Sequence, residues 1–306
     1  MKIHTIFISC SVIAFFACNS KPDIADISTT GEAVQVSAPK DFVQYWYGGK
    51  AEVNSYNLEQ SRYGETRQGD AVMVFVTEDF SKSKQVKLDY PKQSARDAVS
   101  VLKLNALKKF QTGIYDYSIM QSVFTPVDIK SYPNTFKTTF SSQDWCGHVF
   151  SQINLDKDGS YRSTDFSYFE SEGDTDRKLK NAMLEDEIWT RIRINPESIP
   201  IGQVKLIPSQ GFARLDHQPI KPTSARVELI KKTESASELK IEYLHFNRSV
   251  TIDFQSDFPY KILGWEEKNG TQPPTKAILK ETIHSAYWGQ HDNKHAFLRD
   301  SLKLRF

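Results

Sequence analysis

Only three cysteines, Cys10, Cys18 and Cys146, occur in 306 residues, so no disulfide framework holds this chain together and its stability must come from packing. Long apolar runs are missing too. The most apolar stretch, from about Ile3 to Phe16, falls short of the ~20 residues a spanning helix needs. Neither charge sign prevails: 39 Lys and Arg face 38 Asp and Glu with no long run of either, which argues against nucleic acid as a partner. There is no Gly-x-Ser-x-Gly elbow, no phosphate-cradling glycine loop and no dinucleotide fingerprint. The commonest enzyme signatures and their cofactors are therefore not expected, and no internal repeat is visible.

What the chain does have begins at its N-terminus. Lys2, the apolar run and Phe15-Phe16-Ala17-Cys18 read as a bacterial lipoprotein leader, cut before Cys18 and acylated there. Ordinary secretion with an incidental cysteine, or a short uncleaved anchor, is the alternative. Cys18 has Ala17 before it and the polar Asn19-Ser20-Lys21-Pro22-Asp23 after it, whereas Cys10 sits inside the apolar run. Acyl chains contribute about 0.8 kcal/mol per buried methylene, enough to hold a water-soluble body at a membrane without a spanning helix. Loss of Lys2 with the leader leaves 38 basic against 38 acidic residues.

The expected organisation is thus a leader over 1–17, a flexible tether over 18–40, and one large β-rich domain over 41–306 with a possible subdivision near 195–201. Asp41 to Tyr47 offers one or two helical turns before Gly48-Gly49. Strand signals then dominate: Ala51–Gln60 and Ala71–Thr77 around a segment carrying Gly64 and the turn pair Gly69-Asp70, Val99–Phe110 and Ile114–Pro126 around Gln111-Thr112-Gly113, and Trp145–Leu155 and Ser160–Phe169 around Asp156-Lys157-Asp158-Gly159. Ala225–Lys232, Glu238–Phe246, Ser249–Phe254 and Tyr260–Glu267 alternate apolar and polar residues, as an antiparallel meander does. Between 176 and 193, Leu179, Ala182, Met183, Trp189 and Ile192 fall at helical spacing, which predicts one long amphipathic helix sealing the sheet. The fold class is mainly β: a large antiparallel sheet, twisted or partly closed, of the kind that encloses cavities.

Tyr45-Trp46-Tyr47, Gly49-Lys50-Ala51-Glu52, Leu58-Glu59-Gln60, Arg62-Tyr63-Gly64-Glu65, Lys103-Leu104-Asn105, Gly113-Ile114-Tyr115, Trp145-Cys146-Gly147-His148 and Arg193-Ile194-Asn195-Pro196 carry a resemblance that covers most of the mature chain. In these residues it resembles a family of Bacteroidota lipoproteins of unassigned function. Members often bear the name septum formation inhibitor Maf, which belongs to cytosolic nucleotide pyrophosphatases of α/β fold. The serine-rich N-terminal segment ending in paired arginines that those enzymes use is not found here. The resemblance implies an outer-membrane anchor facing the periplasm and a strand-rich body, and supplies no catalytic residue.

Two groups of residues are candidates for chemistry. Asp144, Cys146 and His148 are spaced two apart, so on a strand they share a face and offer either a zinc-type ligand set or a thiolate with an imidazole base. The plainer reading is a strand with one buried cysteine and a hydrogen-bonded histidine. Asn154, Asp156, Asp158 and Asp165, with Gly159, approach the spacing of a calcium loop. Asn in first place and Asp in last depart from that pattern, and Asp158-Gly159 is equally a hairpin turn. His217, His245, His284, His291 and His295 are dispersed. The leading expectation is a non-enzymatic envelope lipoprotein that binds an amphiphile or another envelope component. Its rival is a hydrolase or metal-dependent enzyme centred on Cys146 and His148.

Overall fold

The computed structural model describes residues 38–305; the leader, Cys18 and nearly all of the expected tether lie outside the described residues. A first helix, α1 (Lys40–Trp46), buries Phe42 and Trp46. Fifteen strands in one continuous path then carry the chain: β1 (Ala51–Arg62), β2 (Glu65–Ser81), β4 (Ala98–Thr112), β5 (Tyr115–Pro126), β6 (Lys137–Gln143), β7 (His148–Leu155), β8 (Tyr161–Phe166), β9 (Thr175–Leu179), β10 (Met183–Leu184), β11 (Gly202–Ile207), β12 (Thr223–Lys231), β13 (Ala236–Tyr243), β14 (Arg248–Gln255), β15 (Ile262–Asn269) and β16 (Thr275–Ser285). A short β3 (Val86–Lys87) adds to β2. Three further helices are α2 (Ile188–Ile194), α3 (Gln210–Leu215) and α4 (Phe297–Ser301).

The spatial order runs β10 to β16, then β1, β2, and β4 to β9. All neighbours are antiparallel except β10 and β11, which pair in parallel through a crossover containing α2. At ~4.8 Å per strand, fifteen strands laid flat would put β9 and β10 roughly 65 Å apart. Yet only residues 180–182 separate them in the chain, and the step from Leu179 to Met183 reaches at most about 14 Å. The sheet must therefore curl until its two edges nearly meet, although they do not pair. Ile153, Tyr161, Leu179, Leu184, Ile207, Ala213 and Ile220 fill the seam with a small apolar cluster.

Turn chemistry explains the first hairpin. Tyr63 and Gly64 both have positive φ (56° and 77°), the twist that a two-residue hairpin loop demands. The predicted turn at Gly69-Asp70 is instead part of β2. Gly69 is needed there because a Cβ would collide with the backbone oxygen of Lys109 on β4.

The predicted long helix over 176–193 is also different. Its first third is β9, with Asp176, Arg177 and Lys178 exposed and paired along β8, and helical structure begins only after Leu184. The helical spacing misleads because Leu179, Ala182 and Met183 fall at i, i+3 and i+4 by coincidence: they belong to β9, the loop after it and β10, and only Trp189 and Ile192 belong to α2. Nor does α2 lie amphipathically on the sheet. Glu185, Asp186 and Glu187 in the 3-10 turn before it, and Arg191 and Arg193 within it, are all buried on the concave side.

The residues described belong to one compact unit, and the 3-10 turn at Pro196–Ser198 leads from α2 straight into β11. Strand parity sends one face of each strand inward. Leu102, Leu104, Ala106, Lys108 and Phe110 of β4, and Arg248, Val250, Ile252 and Phe254 of β14, line the concavity.

Candidate functional site

Alternate hairpin turns, at 63–64, 113–114, 144–147, 167–174, 244–247 and 270–274, lie at the same end of the curled sheet. At this end a cavity of ≈ 350 Å³ opens between the sheet's concave face and the α2 and α3 segments. The register explains its walls. Met73, Ala106, Gln121 and Phe140 are direct partners on β2, β4, β5 and β6, so a single row crosses four strands. Ala71 and Lys108 are likewise partners, as are Lys108 and Ile119. Ala106 is small where its neighbours in the row are large, which leaves the volume open.

The opposite wall is aromatic and charged. Trp265 packs edge-on to both Trp189 of α2 and Tyr56 of β1, with ring centres 5.4 and 5.0 Å apart. Two residues further along β15, Glu267 takes Lys108 Nζ at 3.1 Å and Arg248 Nη2 at 3.3 Å. Burial alone would raise the Glu267 carboxyl, but these two cations outweigh it and hold it at about 2. Arg248 is shared with Glu185, which also accepts from Tyr243 Oη at 2.7 Å.

Some buried side-chain atoms of residues in the cavity wall have no partner among the described residues. Gln60 Oε1 is one: its amide nitrogen is engaged by Thr275 Oγ1 at 3.0 Å and by the Ser61 carbonyl at 3.1 Å, while its oxygen is buried and free. The Trp265 indole Nε1 is another. Both residues are at least nine-tenths buried, at 5% and 4% exposure. A buried polar atom left unpaired costs about 1–3 kcal/mol, and since neither atom has accessible surface, both are sealed in the wall rather than open to the cavity.

The mouth is charged. Arg62 donates to the Leu215 carbonyl (2.7 Å), to Tyr63 Oη (3.3 Å) and to Tyr117 Oη (3.3 Å), and its guanidinium lies 4.3 Å from the centre of the Tyr63 ring. It forms no ion pair among the described residues. Asp216, held by Asn269 Nδ2 at 3.1 Å, is in the same position. Burial raises its carboxyl pKa above the ordinary value.

A second cavity of ≈ 300 Å³ lies beside the first, against β7, β8, β9 and α3, with His217 in the walls of both. There Ser151 Oγ donates to Asp165 at 2.5 Å, and Gln210 Nε2 to Ser151 Oγ at 2.7 Å. His217 Nδ1 meets Glu172 at 2.6 Å.

None of the residues singled out for chemistry from the sequence lines the first cavity, and only Asp165 lines the second. Asp144, Cys146 and His148 are not three residues of one strand. Asp144 and Cys146 sit in the β6–β7 turn, and His148 begins β7. Asp144 Oδ1 is occupied by the backbone N–H groups of Cys146 (2.6 Å) and Gly147 (3.2 Å). Cys146, expected to be buried, is exposed, because an Asx turn carries it out past the end of the sheet.

The calcium-like segment is the β7–β8 hairpin turn. Asn154 bonds Gln85 and Gln152, Asp156 pairs with Arg162, Asp158 with Ser160 and Lys178, and Asp165 with Ser151, Ser163 and Arg177. Among the described residues, no three His, Cys, Asp or Glu side chains are grouped to hold a metal ion.

Sequence reasoning missed Gln60, Arg62, Lys108, Glu267 and Trp265. For Lys108 a signal was present: a lysine in the inward series Leu102, Leu104, Ala106, Lys108, Phe110 breaks an otherwise apolar face and so needs a buried partner. No family model, no curated protein and no solved structure matches this chain.

Proposed function

We propose that this chain is a lipoprotein anchored through Cys18 at the outer membrane, facing the periplasm, and that its curled sheet binds a small amphiphile. The anchor rests on the leader pattern and on the resemblance to Bacteroidota lipoproteins. The binding reading rests on one observation: the ≈ 350 Å³ cavity has a floor of Met73, Ile119 and Phe140 and a polar mouth at Arg62 and Asp216. That volume falls within the range of small-molecule sites, and a mixed lining suits a ligand with one apolar and one polar end. Neither Cys146 nor His148 lines either of the two cavities, so neither cavity supports the rival enzyme centred on them.

Binding is tested with the full chain carrying Cys18→Ser, titrated with a monoacylglycerol below its micelle concentration while the fluorescence of Trp189 and Trp265 is followed. Saturable change is expected, and Ala106→Phe, which fills the floor, is expected to abolish it while the melting temperature shows the protein still folded. Saturation that survives Ala106→Phe unchanged rejects the cavity as the site. Anchoring is tested by labelled fatty acid in cells: incorporation should vanish in Cys18→Ser and persist in Cys10→Ser. Labelling of the Cys18→Ser protein rejects the anchor.

A further inference from the structure

Resting on the amphiphile reading, we infer that the ligand carries a zwitterionic head of the phosphoethanolamine type on a single acyl chain, its anionic group received by Arg62 and its ammonium by Asp216. The inference starts from charge accounting in the cavity. Lys108 is matched by Glu267, and Glu185 by Arg248, so the interior charges cancel in pairs. At the mouth the Arg62 cation and the Asp216 anion act on each other, and Arg248 acts on Asp216, without closing an ion pair. Arg62 and Asp216 both line the opening, and neither forms an ion pair among the described residues, with each other or with any third group.

Their placement is built. The Arg62 guanidinium is fixed by two tyrosine hydroxyls and by the carbonyl of Leu215, the residue just before Asp216. Its three acceptors are neutral, so its full charge remains available, and an anion bound by such a fork gains charge-assisted hydrogen bonds. Asp216 is oriented by Asn269, which is in turn held by Arg248 Nη1 at 2.6 Å. A ligand with only an anionic group would leave Asp216 facing it across the opening, which is repulsive. A ligand with both charges satisfies the two residues together.

The single acyl chain then meets the apolar row of Met73, Ile119 and Phe140.

The test uses the full chain carrying Cys18→Ser and three single-chain probes of equal acyl length below their micelle concentrations: lysophosphatidylethanolamine, lysophosphatidylglycerol and monoacylglycerol. Tryptophan fluorescence gives each Kd, and circular dichroism confirms folding. Lysophosphatidylethanolamine is expected to bind about tenfold or more tighter than the other two. Asp216→Asn should remove its advantage over lysophosphatidylglycerol while leaving monoacylglycerol unaffected. Arg62→Met should weaken both phosphate-bearing probes by about tenfold and spare monoacylglycerol. Equal affinity for all three probes, or wild-type affinity for lysophosphatidylethanolamine in a folded Asp216→Asn variant, overturns the zwitterion assignment and leaves the amphiphile reading intact. Absence of saturable binding by any probe overturns both.

Discussion

Arg193 and Glu52, 141 residues apart in sequence, form a two-pronged ion pair inside the curled sheet, with Nη1 to Oε1 at 2.5 Å and Nη2 to Oε2 at 2.7 Å and no exposure of either side chain. The Arg193 guanidinium also lies over the rings of Trp46 and Phe75, at 4.9 and 4.7 Å, so it ties α1 and α2 to the sheet. Burial would raise the Glu52 carboxyl, but the charge and hydrogen bonds of Arg193 overcome it and hold it at about 2.

Removing one partner of this pair should cost far more than removing both. Glu52→Gln leaves Arg193 buried without a counter-charge, and a loss of about 3–5 kcal/mol is expected in chemical denaturation. The double variant Glu52→Leu with Arg193→Met should recover a large part of that loss. A double variant as unstable as the sum of the two single changes contradicts this account.

Asp186 should make stability fall as pH rises. Its carboxyl is fully buried, and burial, with the nearby Glu185, lifts it from 3.8 to about 6. Between those values the folded state binds more protons than the unfolded state. The contribution is therefore complete below the unfolded pKa and is lost as pH climbs through about 6. A shift of this size corresponds to on the order of 3 kcal/mol. Asp186→Asn, which keeps an acceptor for the Gln210 N–H, should flatten the stability profile between pH 4 and 7. An unchanged slope in that variant would place the titration elsewhere.

The Cys146 thiol should react in the native protein. It is exposed in a turn, so a maleimide is expected to label it fully without denaturant, and Cys146→Ala should change stability by less than about 0.5 kcal/mol. Labelling only after unfolding would show that the turn is covered.

Gly264 should tolerate no side chain. A Cβ there would stand 2.5 Å from the Ala277 carbonyl oxygen on the neighbouring strand, which is backbone and cannot swing away. Gly264→Ala is expected to lose at least about 2 kcal/mol, or to fail to fold, whereas Gly113→Asn, at a positive-φ turn open to solvent, should stay within about 1 kcal/mol of wild type. Equal tolerance at both sites would show that β15 and β16 separate freely.

Calcium should leave the melting temperature unchanged, because Asp156, Asp158 and Asp165 are already paired with Arg162, Lys178 and Arg177. A rise that grows with calcium concentration would show that these carboxylates exchange their partners for the ion.

Local chemistry by itself determined the strand-rich class, the alternating meander from Ala225 to Glu267, the first helix before Gly48-Gly49 and the turn at Asp158-Gly159. Each follows from side-chain period or backbone freedom within a few residues. Tertiary structure alone decided the rest. The run Glu185-Asp186-Glu187-Ile188-Trp189-Thr190-Arg191-Ile192-Arg193 reads as a solvated helix because charged side chains are ordinarily exposed. It is buried because Glu52 and Arg248, 141 and 63 residues from their partners Arg193 and Glu185, wait on the concave face. The cavity was hidden for the same reason. Gln60, Lys108, Gln121 and Glu267 sit on four different strands, and only the curl and register of the sheet bring them around one cavity.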